Sequence, residues 1–213
     1  MKVNYREVKR MNLTKKQLIS IKEKLKEQGY DLLGVIGKGG DGEVFLIQNT
    51  VTHKQRAAKC FHSDEIYNRL SRKHLNLCDN LVPPLECIKI DDGLFVYTME
   101  KCSSVSLTSM KSGKLLKDIL DGVEQLLEKG LYQSDEFEGN ILVRNNGKVA
   151  ISDFSSWSIK NSSDAVVVKD QIEKTLKYVS TERNIKKFKS SLSDEDKVDI
   201  NKMRTKIKKF SFS

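Results

Sequence analysis

The spacing of apolar positions changes character along the chain. Leu18, Ile21 and Leu25 recur at helical intervals, and Thr14 with Gln17 three positions later makes a capping box. A helix is therefore predicted from about Thr14 to Gln28, stopped by Gly29. From Tyr30 to Ile90 the period shortens. The runs Leu32–Ile36, Glu43–Gln48, Arg56–Phe61 and Leu85–Ile90 predict strands, interrupted by one helical stretch at about Ser63–Leu77. A fifth strand, Leu94–Glu100, follows the turn Asp91-Asp92-Gly93.

After Cys102 the pattern becomes helical again, with Leu115, Leu116, Ile119, Leu120, Val123, Leu126 and Leu127 at 3–4 spacing and Gly130 as the stop. Two short strands, Asn140–Val143 and Val149–Ser152, flank the turn Asn145-Asn146-Gly147. The rest is polar until a last helix, capped at Ser193 with Asp196 in its third position and carrying Ile200, Met203, Ile207 and Phe210. No internal repeat is present. A β-rich first half and an α-rich second half, joined near Cys102, predict an α+β architecture of two lobes.

A chain of 213 residues suits one domain, and its 38% apolar and 31% charged composition is that of a globular protein with no run near the ~20 apolar residues a membrane span requires. No apolar stretch follows the first charges, so a secretory signal is not expected. The cysteines Cys60, Cys78, Cys87 and Cys102 lack C-x-x-C spacing, and His53, His62 and His74 lack metal spacing. Zinc is disfavoured, and reduced thiols in a cytoplasmic protein are expected. The net charge of +9 resides at the ends: residues 1–30 hold nine Lys/Arg against three acids, and 183–209 hold ten against four. The middle is slightly acidic, so no nucleic-acid partner is expected, whereas an acidic partner or anionic surface stays open for either end.

The segment from Gly37 to Val44 fits G-x-G-x-x-G-x-V between two predicted strands. Glycines there let backbone amides approach phosphate oxygens, although a hairpin that merely turns the chain has the same look. A dinucleotide fingerprint would need a helix straight after Gly42, and Glu43–Gln48 is predicted as strand, so the Rossmann reading fails. Fifteen residues past Val44, Lys59 ends Arg56-Ala57-Ala58-Lys59 inside an apolar strand. Further on come Asp135, Asn140 five positions later, a strand hairpin, and Asp153 in Asp153-Phe154-Ser155. An Asp, an Asn, a hairpin and a second Asp in this order form the arrangement kinases use to hold a proton acceptor and magnesium ligands around a triphosphate.

On these residues, positions 34–157 resemble a protein-kinase catalytic core. The resemblance implies a two-lobed kinase-like fold with a β-rich N-lobe and a reduced helical C-lobe: one minimal kinase domain over 1–213, with a helical extension at 1–30, the N-lobe at 31–101 and the C-lobe at 102–213. Gly37, Gly39 and Gly42 would cover the phosphates of ATP, Val44 and Ala57 would roof the adenine, and Leu142 would be its floor. Lys59 would pair with the α- and β-phosphates. Met99 would be the gatekeeper of a hinge that continues through Glu100, Lys101 and Cys102. Asp135 would accept the proton of the substrate hydroxyl, while Asn140 and Asp153 would ligate Mg2+. Glu65 is the acid placed to hold Lys59, with Asp64 as the alternative; a helix registered to face Arg69 towards Lys59 would leave that pair unmade.

The departures from the family pattern matter as much. The H-R-D motif is Gln133-Ser134-Asp135 here, so the arginine that senses loop phosphate is absent, and activity without prior loop phosphorylation is expected. The D-F-G motif ends in Ser155, no A-P-E follows, and 60 residues after Asp153 predict a reduced substrate platform. Trp157 is expected to pack beneath the catalytic loop. In these respects the chain resembles minimal type III secreted effector kinases of bacterial pathogens. That resemblance implies a monomeric Ser/Thr protein kinase acting in a host cytosol on a protein such as a chaperone or a ubiquitin-pathway component. A pseudokinase interaction module and a small-molecule kinase are the alternatives.

Overall fold

The computed structural model describes residues 13–39, 42–65, 67–68, 79–104, 112–159 and 164–179, with scattered positions between 186 and 206. Most of the helix predicted at Ser63–Leu77 and of the last helix from Ser193 lies outside these residues, as do Gly40, Asp41, Arg69, His74 and Cys78. The chain divides into two compact units, one formed by 1–76 with 84–101 and the other by 77–83 with 102–213.

In the first unit, helix α1 (Lys15–Glu27) starts where its sequence directs. The Gln17 N–H donates to Thr14 Oγ1 at 3.2 Å and the Thr14 N–H donates to Gln17 Oε1 at 2.9 Å, which satisfies two of the orphan donors of the first turn. Five antiparallel strands follow: β1 (Tyr30–Lys38), β2 (Glu43–Asn49), β3 (Gln55–Phe61), β4 (Glu86–Asp91) and β5 (Leu94–Glu100), in the order β1-β2-β3-β5-β4. Each predicted strand is present, with ends shifted by two residues or fewer.

Side chains alternate across a strand, and that alternation sorts this sheet into two faces with different tasks. Phe45, Ile47, Ala58, Cys60 and Val96 form one apolar face, closed by Ile21 and Leu25 of α1. Burying those two helix residues contributes about 2 kcal/mol each. The same face carries a polar cluster in which Tyr30 OH and Arg56 Nη1 donate to Glu86 at 3.1 and 2.9 Å. The opposite face presents Val44, Leu46, Ala57, Lys59, Tyr97 and Met99, as the cross-strand pairs Val44↔Lys59, Lys59↔Tyr97, Leu46↔Ala57 and Ala57↔Met99 require.

In the second unit, α2 (Ser112–Glu128) buries Leu115, Leu116, Ile119, Leu120, Val123 and Leu126, the stripe predicted for it. Strand β6 (Ser103–Ser104) pairs with β8 (Ile141–Val143), which pairs with β9 (Val149–Ile151). Strand β7 (Leu131–Gln133) pairs with β10 (Trp157–Ile159) on the far side of a 3₁₀ turn, Phe154–Ser156. The α2 helix meets this framework at Gly122: a Cβ there would stand 2.6 Å from the Asn80 carbonyl oxygen, which accepts the Ile151 N–H at 2.9 Å. Asp118, buried on the same helix, accepts the Val149 N–H at 3.2 Å.

A further helix, α3 (Asp164–Val179), stands where the sequence pattern shows only a polar stretch. Val167, Ile172 and Leu176 are buried on it, but so are Gln171 and Thr175, and these two polar residues break the apolar stripe that a periodicity argument relies on. Among the described residues no helix is long and apolar enough to cross a membrane.

Candidate active site

The first unit gathers one group of the sequence-predicted residues. At the end of the β1–β2 hairpin, Gly37 pairs with Val44 and Lys38 with Glu43. The Gly39 N–H donates to the Gly42 carbonyl at 2.9 Å, closing the glycine turn. Lys38 Nζ reaches Glu43 at 2.9 Å, an ion pair across the turn in which Glu43 is buried; neither partner was singled out from the sequence. Ile36, at the end of the predicted strand Leu32–Ile36, is a large apolar side chain left exposed beside Gly37.

Lys59 is only 8% exposed, although lysines are almost never fully buried without a partner. On its face of the sheet Lys59 pairs with Val44 on one side and with the buried Tyr97 on the other, and Met99 is buried opposite Ala57. Glu100 ends β5, where it pairs with Arg56 of β3, and is half-buried. After β3 a helical turn starts at Ser63, whose carbonyl accepts the Tyr67 N–H at 3.0 Å. The Tyr67 ring stacks on Phe95 of β5 with centroids 4.5 Å apart. Glu65 lies in that turn and is exposed, as is Asp64. Cys60 and Cys87 are free thiols; burial pushes the Cys60 thiol well above its ordinary range and the Cys87 thiol up to about 11.

The second unit brings Asp135, Asn140 and Asp153 together. Two short turns do this. Asn140 follows Gly139, whose φ of 77° suits glycine, and its carbonyl accepts both the Ser152 N–H at 2.7 Å and the Ser152 hydroxyl at 2.9 Å. Asn140 is thus tied to the residue before Asp153. Asp153 has φ 65° and ψ 73°, a left-handed conformation that costs a non-glycine residue about 1–3 kcal/mol and is concentrated at functional sites. Its carboxylate accepts from the Ser155 hydroxyl on one oxygen and lies 3.1 Å from the Ser156 hydroxyl on the other. That same Ser156 hydroxyl is 2.8 Å from Asp135 Oδ2.

Asn140 Nδ2 donates to the Glu136 carbonyl at 3.1 Å, which leaves Oδ1 as its acceptor towards a ligand. A carboxylate and an amide oxygen are hard donors. Among the described residues no group of three or more His, Cys, Asp or Glu is placed to hold a metal ion by protein alone. One carboxylate plus one amide, completed by water and phosphate oxygens, is the usual provision for Mg2+, so these residues fit that ion. Leu142, on β8 two residues after Asn140, is half-buried.

The segment before Asp135 is gripped from two sides. From α3, the Gln171 side-chain amide takes the Gln133 N–H at 3.2 Å and donates to the Gln133 carbonyl at 2.8 Å. Lys174 Nζ, on a side chain 12% exposed and paired with Asp170 at 3.1 Å, donates to the Gln133 and Ser134 carbonyls at 3.2 and 2.8 Å. From the other side, Ser134 donates to the Ser156 carbonyl through its N–H at 2.8 Å and its hydroxyl at 2.7 Å. Trp157 is fully buried beneath this segment as expected, pairing with Gln133, stacking obliquely on Phe154 and donating from Nε1 to the Ser152 carbonyl at 3.3 Å. The Gln133 side chain itself is buried with neither amide atom hydrogen-bonded.

No protein-family model matches the chain. It is similar to curated serine/threonine kinases. One is a probable serine/threonine-protein kinase of Dictyostelium discoideum, 35% identical over 99 residues that make up 39% of this chain and 10% of that protein. Another is the serine/threonine-protein kinase dst4 of the same organism, 26% identical over 164 residues, 70% of this chain and 34% of dst4. A third is the serine/threonine-protein kinase PknD of Chlamydia trachomatis, 27% identical over 172 residues, 67% of this chain and 18% of PknD. The chain spans between a tenth and two fifths of the length of such relatives. These similarities support a protein-kinase-like chain, and the α+β structure, with its five-stranded sheet and helices, is compatible with that fold.

Proposed function

We propose that the chain is a two-lobed protein kinase that transfers the γ-phosphate of Mg-ATP to Ser/Thr hydroxyls of a protein substrate. The observation that carries this reading is the joining of Asp135, Asn140 and Asp153 by hydrogen bonds through Ser152 and Ser156, with Asp153 held in a strained conformation. In this reading Gly37, Gly39 and Gly42 cover the phosphates, and Lys59 neutralises them. Val44, Ala57, Met99, Glu100 and Leu142 surround the base. Asp153 and Asn140 hold Mg2+, which when bound offsets the charge of the phosphates. Asp135 orients the acceptor hydroxyl and takes its proton.

The grip of Gln171, Lys174 and Ser156 on residues 133–134 supports a site ordered without a phosphate, since each contact is made by groups already present. That is consistent with an enzyme released from loop phosphorylation, as a delivered effector would be. A pseudokinase module is the second reading, favoured by the Ser155 hydroxyl that already engages Asp153.

Calorimetry with Mg-ATP and transfer of labelled phosphate to proteins of a cell lysate test the proposal together. Asp135→Ala should abolish transfer and leave nucleotide affinity within about threefold, whereas Asp153→Ala should lose magnesium-dependent binding as well. Absence of nucleotide binding at saturating magnesium would remove the enzyme reading, and binding without transfer would favour the pseudokinase.

A further inference from the structure

Ser156 is 4% exposed and fixed by its backbone: its N–H donates to the Asp153 carbonyl at 3.0 Å, and its own carbonyl accepts two hydrogen bonds from Ser134. The hydroxyl is thereby set between two carboxylates, 2.8 Å from Asp135 Oδ2 and 3.1 Å from Asp153 Oδ2. Among the described residues it is the one hydrogen-bond partner of the Asp135 side chain, which is otherwise exposed.

A hydroxyl has one proton to donate, and an ionised carboxylate can only accept. At any moment one of the two acids receives the proton and the other faces oxygen lone pairs at hydrogen-bond distance. The two carboxylates therefore compete. Once Asp153 is engaged by a cation, its oxygen no longer needs the proton, and the hydroxyl is left to Asp135 alone. From this geometry we propose that Ser156 is a positioning residue that makes the orientation of Asp135 depend on whether Asp153 holds a divalent cation. The roles of the two acids rest on the kinase reading; the coupling between them rests on the position of the hydroxyl. A serine that only completed the Phe154–Ser156 turn would use its backbone and leave its hydroxyl without effect.

The test uses the full chain with carboxyl-13C aspartate, resonances being assigned with Asp135→Asn and Asp153→Asn, and Mg2+ alone as the probe. In the wild type, Mg2+ should move the Asp135 resonance as well as that of Asp153. In Ser156→Ala the Asp153 response should persist and the Asp135 response should vanish, while Ser156→Thr, which keeps the hydroxyl, should restore it. In steady-state assays Ser156→Ala should lower kcat at least tenfold with KM for Mg-ATP within threefold, and Thr should recover most of the loss. A Ser156→Ala protein that keeps both its kcat and the Mg2+ response of Asp135 overturns the proposal, as does a wild type in which Asp135 ignores Mg2+. If Ser156→Ala does not fold, Asp153→Asn decides: an Asp135 response to Mg2+ that survives loss of Asp153 also overturns it. A wild type that shows the coupled response but no phosphate transfer upholds the Ser156 role and removes the kinase reading.

Discussion

Replacing Gly122 by alanine sets two effects of known sign against each other. Alanine in a helix interior is favoured over glycine by about 1 kcal/mol, and Gly122 lies in the middle of α2. Against this, the new Cβ would stand 2.6 Å from the Asn80 carbonyl oxygen and 3.1–3.2 Å from Ile151 side-chain carbons. Since the nearest atom is backbone, it cannot rotate away, and either α2 or the turn that carries Asn80 must move by roughly half an ångström. Overpacking of this kind costs about 1–3 kcal/mol. The Asn80 oxygen also accepts the Ile151 N–H, a bond worth about 1 kcal/mol that the displacement would stretch. The clash wins: Gly122→Ala should be destabilised by about 1–2 kcal/mol net, lowering Tm by about 2–8 °C for a chain of this size. Lys117→Ala, on the same helix and exposed, loses only an ion pair with Asp121 and should shift stability by no more than about 0.5 kcal/mol. Calorimetric melting of both variants gives the comparison. A Gly122→Ala protein as stable as the wild type or more so would show that helix propensity prevails and that the approach of α2 to Asn80 is not a constraint.

Gln133→Met, which keeps the volume but removes two buried amide atoms without hydrogen bonds, should stabilise the fold by about 1–3 kcal/mol in urea denaturation, because the Gln171 bonds go to the backbone of residue 133. Leu25→Ala should cost about 2–5 kcal/mol by opening the α1-covered face of the sheet; a loss under 1 kcal/mol would mean the helix does not close that core. With the Cys87 thiol raised to about 11 by burial, its alkylation by iodoacetamide at pH 8 should run about a hundredfold slower than that of free cysteine, as peptide mass mapping would show. The Cys60 and Cys87 thiols are both raised, so the folded state keeps their protons where the unfolded state releases them; this contribution is complete below about pH 8.5 and is lost as pH rises above it, so Tm should decline from pH 8.5 to 10 and decline less in a Cys60→Ala, Cys87→Ser variant.

The sheet was legible in the sequence because period-two alternation and glycine turns are local signals. Phe45, Ile47 and Ala58 declare their face without reference to anything distant, and the capping box of Thr14 and Gln17 marks the start of α1 in four residues. Asp135, Asn140 and Asp153 were legible as a set through their order and spacing, and the hydrogen bonds through Ser152 and Ser156 bring them together in space. Helix α3 was not legible, since its buried face mixes Gln171 and Thr175 with Val167 and Ile172. Gln171 faces inward because its partner is the backbone of a segment some forty positions away, which no local window contains, while Thr175 donates to the Gln171 carbonyl one turn back. The hydrogen bonds of Ser134 to the Ser156 carbonyl, and the roles of Ser156 and Gly122, were not legible for the same reason. A serine hydroxyl or a missing Cβ acquires meaning only from what stands opposite.

The grip of Gln171 on Gln133 is made to a peptide group, not to a side chain, and every residue except proline offers the same N–H and carbonyl. Position 133 is thereby relieved of any duty to have a particular chemical identity in order to hold the loop in place. The residue at position 133 can change while the segment before Asp135 keeps its trajectory, so long as α3 keeps Gln171. The instruction that preserves this segment is written in the helix that follows it and not in the segment's own letters.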